Sequence, residues 1–117
     1  MTETNPLTAK RCVPCEGGIP PLAPAAVAEL RRSIHADWQL SGDGKWILRE
    51  FRFPGYARTI GFVNALAWIA ESEGHHPDLE VNYGRVLVKW STHAVDGLTE
   101  NDFICAAKVD QLVSDLG

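Results

Sequence analysis

"PGYARTIGFVNALAWIAESEG", residues 54–74, decides how this sequence folds. Ile60, Val63, Ala67 and Ala70 recur at helical spacing, and Phe62, Leu66 and Ile69 broaden the stripe, so one helix with a wide apolar face is expected. Gly74 is suited to cap its C-terminus, and Pro77 prevents its continuation. Such a helix needs an apolar surface to lie on, and the flanking segments supply one. Ahead of it, "DWQLSGDGKWILREFRF" (residues 37–53) sets two short aromatic and branched stretches around a Gly-Asp-Gly turn, a hairpin signal. Ile47, Phe51 and Phe53 share one face of its second strand, while Trp46, Glu50 and Arg52 share the other. Behind it, "DLEVNYGRVLVKWSTH" (residues 78–93) reads as a second pair of strands around Tyr83-Gly84, with Val86, Val88 and Trp90 alternating against Leu87, Lys89 and Ser91.

Further out, "PAAVAELRRSIHADW" (residues 24–38) places Val27, Leu30 and Ile34 on one stripe, with Pro24 in the first turn and His35 closing the helix as a favourable C-terminal cation. "LTENDFICAAKVDQLVSDL" (residues 98–116) offers Thr99 as an N-cap and carries Phe103, Ala106, Ala107 and Val109 into a third helix. The order is α-β-β-α-β-β-α. Two hairpins separated by a helix favour an α+β fold, a four-stranded antiparallel sheet with three helices packed on one face. Residues 1–22, interrupted by Pro6, Pro14, Pro20, Pro21, Gly17 and Gly18, read as a flexible N-terminal tail, and residues 23–117 as a single domain.

A net charge of -4 provides no basic stripe for phosphates, so neither nucleic acid nor a membrane surface is an expected partner. "MTETNPLTAK" lacks the apolar region of a signal peptide, and no apolar run reaches the length of a membrane span; a cytoplasmic location is expected. Three cysteines, Cys12, Cys15 and Cys105, are too few for a disulfide scaffold. Cys12-x-x-Cys15 has half the spacing of a zinc site but lacks a second ligand pair, so no metal is expected. A glycine-rich phosphate loop, a nucleophile elbow and a dinucleotide fingerprint are all absent, and no nucleotide cofactor is indicated.

Chemistry concentrates in "ESEGHHPDLE", residues 71–80. Glu71 falls in the last turn of the central helix and His75 four residues on, where the two side chains can meet. A helix C-terminus and a carboxylate both favour an imidazolium, which would suit His75 to act as a general acid near neutral pH. His76 must point elsewhere, so the pair is expected to line two sides of a pocket. His93 closes the last strand and can converge on them, while Asp102, three residues after Thr99, can complete a helix cap or orient a histidine. Each has a plainer reading: a histidine pair in a loop is ordinarily solvated, Glu71 a surface charge, His93 a strand-end polar residue. The tryptophans are more often core or interface residues than stacking platforms.

Taken together, Glu71-x3-His75-His76-Pro77, Tyr83, His93 and Asp102, within "GHHPD", "STH" and "GLTENDF", resemble the signature of the pterin-4a-carbinolamine dehydratases. The resemblance runs from about Pro21 onward, and "CVPC" (residues 12–15) is similar to a tail of some bacterial members. It implies dehydration of a 4a-hydroxytetrahydropterin to a quinonoid dihydropterin, which recycles the cofactor of aromatic amino acid hydroxylases. It implies His75 and His93 as acids at the departing hydroxyl, His76 at the ring as a base, Glu71 and Asp102 as orienting groups, and Pro77 as the residue fixing the turn. A homodimer or homotetramer and an aromatic amino acid hydroxylase as partner are implied in the same way. The alternative is a non-catalytic pterin-binding or partner-binding module linked to molybdenum-cofactor metabolism.

Overall fold

The computed structural model describes residues 6–14 and 20–116. The elements follow the expected order: α1 (Pro24–Arg31), β1 (Gln39–Leu40), β2 (Ile47–Arg52), α2 (Tyr56–Glu73), β3 (Asp78–Val81), β4 (Arg85–Trp90), a single 3-10 turn (His93–Val95) and α3 (Glu100–Leu116). The strands form one antiparallel sheet in the order β1-β2-β4-β3, so the two hairpins meet along β2 and β4. Register there pairs Ile47 with Trp90, Arg49 with Val88 and Phe51 with Val86. All but Arg49 are buried, and they form one apolar core with Phe62, Leu66 and Phe103 of the helices. The opposite face carries ion pairs such as Arg85–Glu50 (3.2 Å) and Lys89–Glu80 (3.6 Å), as strand alternation requires.

α2 is the expected helix, rotated from the expected stripe. Thr59, Phe62, Leu66 and Ala70 are its buried residues, Ile60 and Val63 are half-buried and Ala67 is exposed. Phe62 sets this rotation, because its ring packs on Phe51 (centroids 4.9 Å apart) and Phe53 (5.0 Å). Burial of Phe62 and Leu66 stabilises the fold by about 1.5–3 kcal/mol each. Gly84 allows the β3–β4 turn to approach the start of α2: a Cβ there would lie 2.8 Å from the Phe53 carbonyl oxygen. Thr59 then donates its hydroxyl to the Tyr83 carbonyl at 2.8 Å.

Two expectations need correction. α1 stops at Arg31, so His35 lies beyond it and does not close it. Its backbone N–H instead donates to the Asp110 carboxylate (2.9 Å), which also accepts from the Trp38 indole (2.8 Å) and Arg49 (2.6 Å). These tertiary bonds outweigh continued helical periodicity. Within the stretch expected as a flexible tail, residues 6–14 are packed on the domain: Leu7 is buried, and the Cys12 N–H donates to the Glu73 carboxylate at 2.8 Å. Among the described residues, no helix is long and apolar enough to cross a membrane.

Candidate active site

The end of α2 positions the first histidines. Gly74 adopts a left-handed conformation (φ 64°) and its N–H bonds the Glu71 carbonyl at 3.2 Å, while the His75 N–H bonds the Ala70 carbonyl at 3.1 Å. This Schellman-type cap takes His75 off the helical path. His75 therefore does not meet Glu71 as expected. Its Nε2 lies 2.6 Å from Asp102 Oδ1, and its ring stacks on Trp90 with centroids 5.6 Å apart and planes within 8° of parallel. Glu71 pairs instead with His76, Oε1 to Nε2 at 3.1 Å, out in solvent.

Asp102 makes contacts with both of its oxygens. One oxygen meets His75; the other accepts the Thr99 N–H (2.9 Å) at the start of α3 and the Thr92 hydroxyl (2.8 Å). The carboxylate is fully buried, so its contacts are shielded from competing water. His93 does not end a strand, since β4 stops at Trp90. It opens the 3-10 turn that Thr92 and Gly97 close by a backbone bridge, and its ring meets Trp46 edge-on at 5.7 Å.

His75, His76 and His93 line one cavity of about 400 Å³, a volume within the ordinary range for a small-molecule site. Glu71, Pro77 and Asp102 are not in its lining. Asp102 stands behind His75, Glu71 beside His76, and Pro77 between the histidine pair and β3. Tyr83 lies away from the cavity, stacked on Tyr56 at 6.1 Å. Two other cavities, of about 350 and 500 Å³, contain no histidine.

Several contributors escape sequence reasoning. Cys12, Val13 and Pro14 supply part of the lining, brought there by contacts some ninety positions along the chain. Trp90 reads from its alternation as a core residue, which it is, and nothing local marks it as the surface under His75. Glu73 also lines the cavity. Burial pushes its carboxyl up, but hydrogen bonds from Lys108 (2.7 Å) and the Cys12 N–H (2.8 Å), with the Lys108 and Arg11 charges, leave it below its ordinary range. Cys105 is driven the other way, its thiol pKa raised by a contact with the Cys12 sulfur (3.6 Å) and by burial. Cys15 lies outside the described residues. Among the described residues no three His, Cys, Asp or Glu side chains are grouped to hold a metal ion.

Residues 20–112 match the family model described as Pterin 4 alpha carbinolamine dehydratase. The chain belongs to the pterin-4a-carbinolamine dehydratase family. A relative from Xanthomonas oryzae that carries the dehydratase name is 53% identical over 112 residues, 96% of this chain and 94% of its own. Another, from Nitrosomonas europaea, is 50% identical and covers 96% of this chain and 97% of its own. A Brucella melitensis crystal structure titled as a transcriptional coactivator/pterin dehydratase superposes with a TM-score of 0.74 at 32% identity, over 79% of this chain and 97% of its own. A pterin dehydratase-like protein identified as a RuBisCO assembly factor in the alpha-carboxysome superposes at 0.58 with 29% identity, over 67% of this chain and 90% of its own. The enzymes of the pterin dehydratase family are hydro-lyases.

Proposed function

We propose that this protein dehydrates 4a-hydroxytetrahydropterins to quinonoid dihydropterins by histidine acid–base catalysis, and so recycles the pterin cofactor of aromatic amino acid hydroxylases. The observation that carries this reading is the convergence of three imidazoles on one cavity, with a buried carboxylate 2.6 Å behind one of them. In the reaction the C4a–O bond breaks, the hydroxyl leaves as water after gaining a proton, and the N5 proton is removed as the C4a=N5 double bond forms. Imidazoles can serve both ends, since each can give or take a proton near neutral pH.

His75 and His93 are the proposed acids at the departing hydroxyl. His76, beside the ring, is the proposed base. Asp102 orients His75, Glu71 holds His76, and Pro77 fixes the turn that presents the pair. The deciding assay generates the carbinolamine fresh and follows its dehydration by ultraviolet absorbance. Native protein should accelerate the spontaneous reaction, and His76→Ala and His93→Ala should each lose ~10²–10⁴-fold while remaining folded. Pterin binding without acceleration would overturn the catalytic reading in favour of a binding module.

A further inference from the structure

Residues 6–14 form a strap bonded to α2 through Glu73 and to α3 through Asn101, and Cys12 on it carries a thiol that the proposed dehydration does not use. The sequence offers this thiol a near partner in Cys15, at the Cys-x-x-Cys spacing of many redox pairs. The fold gives it a different one. Cys12 Sγ lies 3.6 Å from Cys105 Sγ, across 93 positions of chain, and both cysteines are free. The strap is fixed at this point from both sides. The Cys12 N–H donates to Glu73 (2.8 Å), and its thiol meets the Asn101 backbone carbonyl at 3.7 Å. Val13, the next residue, donates its N–H to Asn101 Oδ1 (3.1 Å) and accepts from Asn101 Nδ2 (2.7 Å), one helical turn before Cys105. Cys105 is wholly buried in the core, whereas Cys12 is half-buried and lines the cavity. A small solute in the cavity therefore reaches one sulfur of the pair and not the other.

We propose that Cys12 and Cys105 are a modification site: a hydroperoxide entering the cavity converts them to a reversible disulfide, which fastens the strap, and with it part of the cavity wall, to α3. This does not depend on the dehydratase reading. Cys12 reacts first. Its sulfur attacks a peroxide oxygen, the O–O bond breaks, and the products are the Cys12 sulfenic acid and one water. The Cys105 sulfur then attacks the Cys12 sulfur, the S–S bond forming as the S–O bond breaks, and the Cys105 proton leaves with the departing hydroxide as a second water. Two thiols lose two electrons and one peroxide gains them. Contact with Cys12 and burial keep Cys105 in its thiol form, which makes it the second sulfur to react. The sulfurs must close from 3.6 Å to about 2.05 Å, a movement left to Cys12 because Cys105 is packed in the core. A bond across 93 positions restricts the unfolded chain far more than one between Cys12 and Cys15 would.

The test treats the reduced full chain with hydrogen peroxide at neutral pH, blocks the remaining thiols with N-ethylmaleimide, and maps peptides by mass spectrometry before and after dithiothreitol. The expected product is a Cys12–Cys105 cross-linked peptide that dithiothreitol dissolves, formed in native protein and equally in Cys15→Ser. The oxidised protein should melt about 10 °C above the reduced one. Cys12→Ser and Cys105→Ala should lose both the cross-link and the rise in Tm. A Cys12–Cys15 bridge in native protein would overturn the pairing, and so would Cys12 carried to its sulfinic acid, or left unoxidised, with Cys105 still a free thiol. A cross-link that leaves Tm unchanged would overturn the fastening of the strap. Native protein and Cys15→Ser decide the pairing by themselves, so poor folding of Cys105→Ala would not mask it.

Discussion

Replacing Asp102 with alanine removes the acceptor for three partners at once: the Thr99 N–H, the Thr92 hydroxyl and the His75 ring. The expected loss is about 3 kcal/mol, the scale for breaking a buried pair and leaving its partner uncompensated, measured by urea unfolding. Asp102→Asn keeps the volume but removes the charge. It should cost less stability, yet the dehydration rate should fall by ~10²-fold as control of His75 is lost. The histidines and Asp102 could be read from the sequence, because histidine is rare here and the spacing of these residues is distinctive. Their pairing could not. Spacing suggests Glu71 with His75 only while the helix continues, and the left-handed Gly74 ends that path one residue before His75. The true partner lies 27 positions away, a separation over which local pattern carries no information.

The cap of α2 and the carboxylate just before it make separate predictions for this element. A Cβ at Gly74 would meet nothing within 4 Å, so Gly74→Ala tests conformation alone. It should cost about 1–2 kcal/mol, visible as a lowered Tm, and should disturb His75 and His76 together. Glu73 gives a pH prediction. Its folded carboxyl titrates below the ordinary value of 4.5, so the stabilisation is complete above that value and is lost as pH falls through the lower, folded one. Glu73→Gln should therefore be less stable than native protein at neutral pH and lose less on acidification below about 4.5, as chemical denaturation across pH would report. α2 and the two hairpins were legible because long periodic segments and turn residues agree. The end of α1 was not: Val27, Leu30 and Ile34 keep helical spacing and all end up wholly or partly buried, but Ile34 is reached through turns after Arg31.

Across the whole molecule, Asp110 ties α3 to β2 and to the connection between α1 and β1, through Arg49, Trp38 and the His35 backbone. Asp110→Ala should destabilise the protein by about 3 kcal/mol but, standing outside the lining of the cavity that holds His75, His76 and His93, should leave kcat within about twofold; urea unfolding and the dehydration assay together check this. A chain of local signals reveals such elements but not their long-range ties, which is why residues 6–14 read as loose when they are packed. Val13 and Asn101 are separated by 88 positions. On a translating ribosome residues 6–14 emerge early and meet Glu73 of α2 first, but the Asn101 side chain that holds Val13 at both backbone polar groups follows only with α3. The central strand β4 ends at Trp90 and α3 begins at Glu100, so the completed sheet and the Asn101 anchor become available almost together. The long loop from Val13 to Asn101 therefore closes in the same late step that completes the sheet and buries the α3 face of the core.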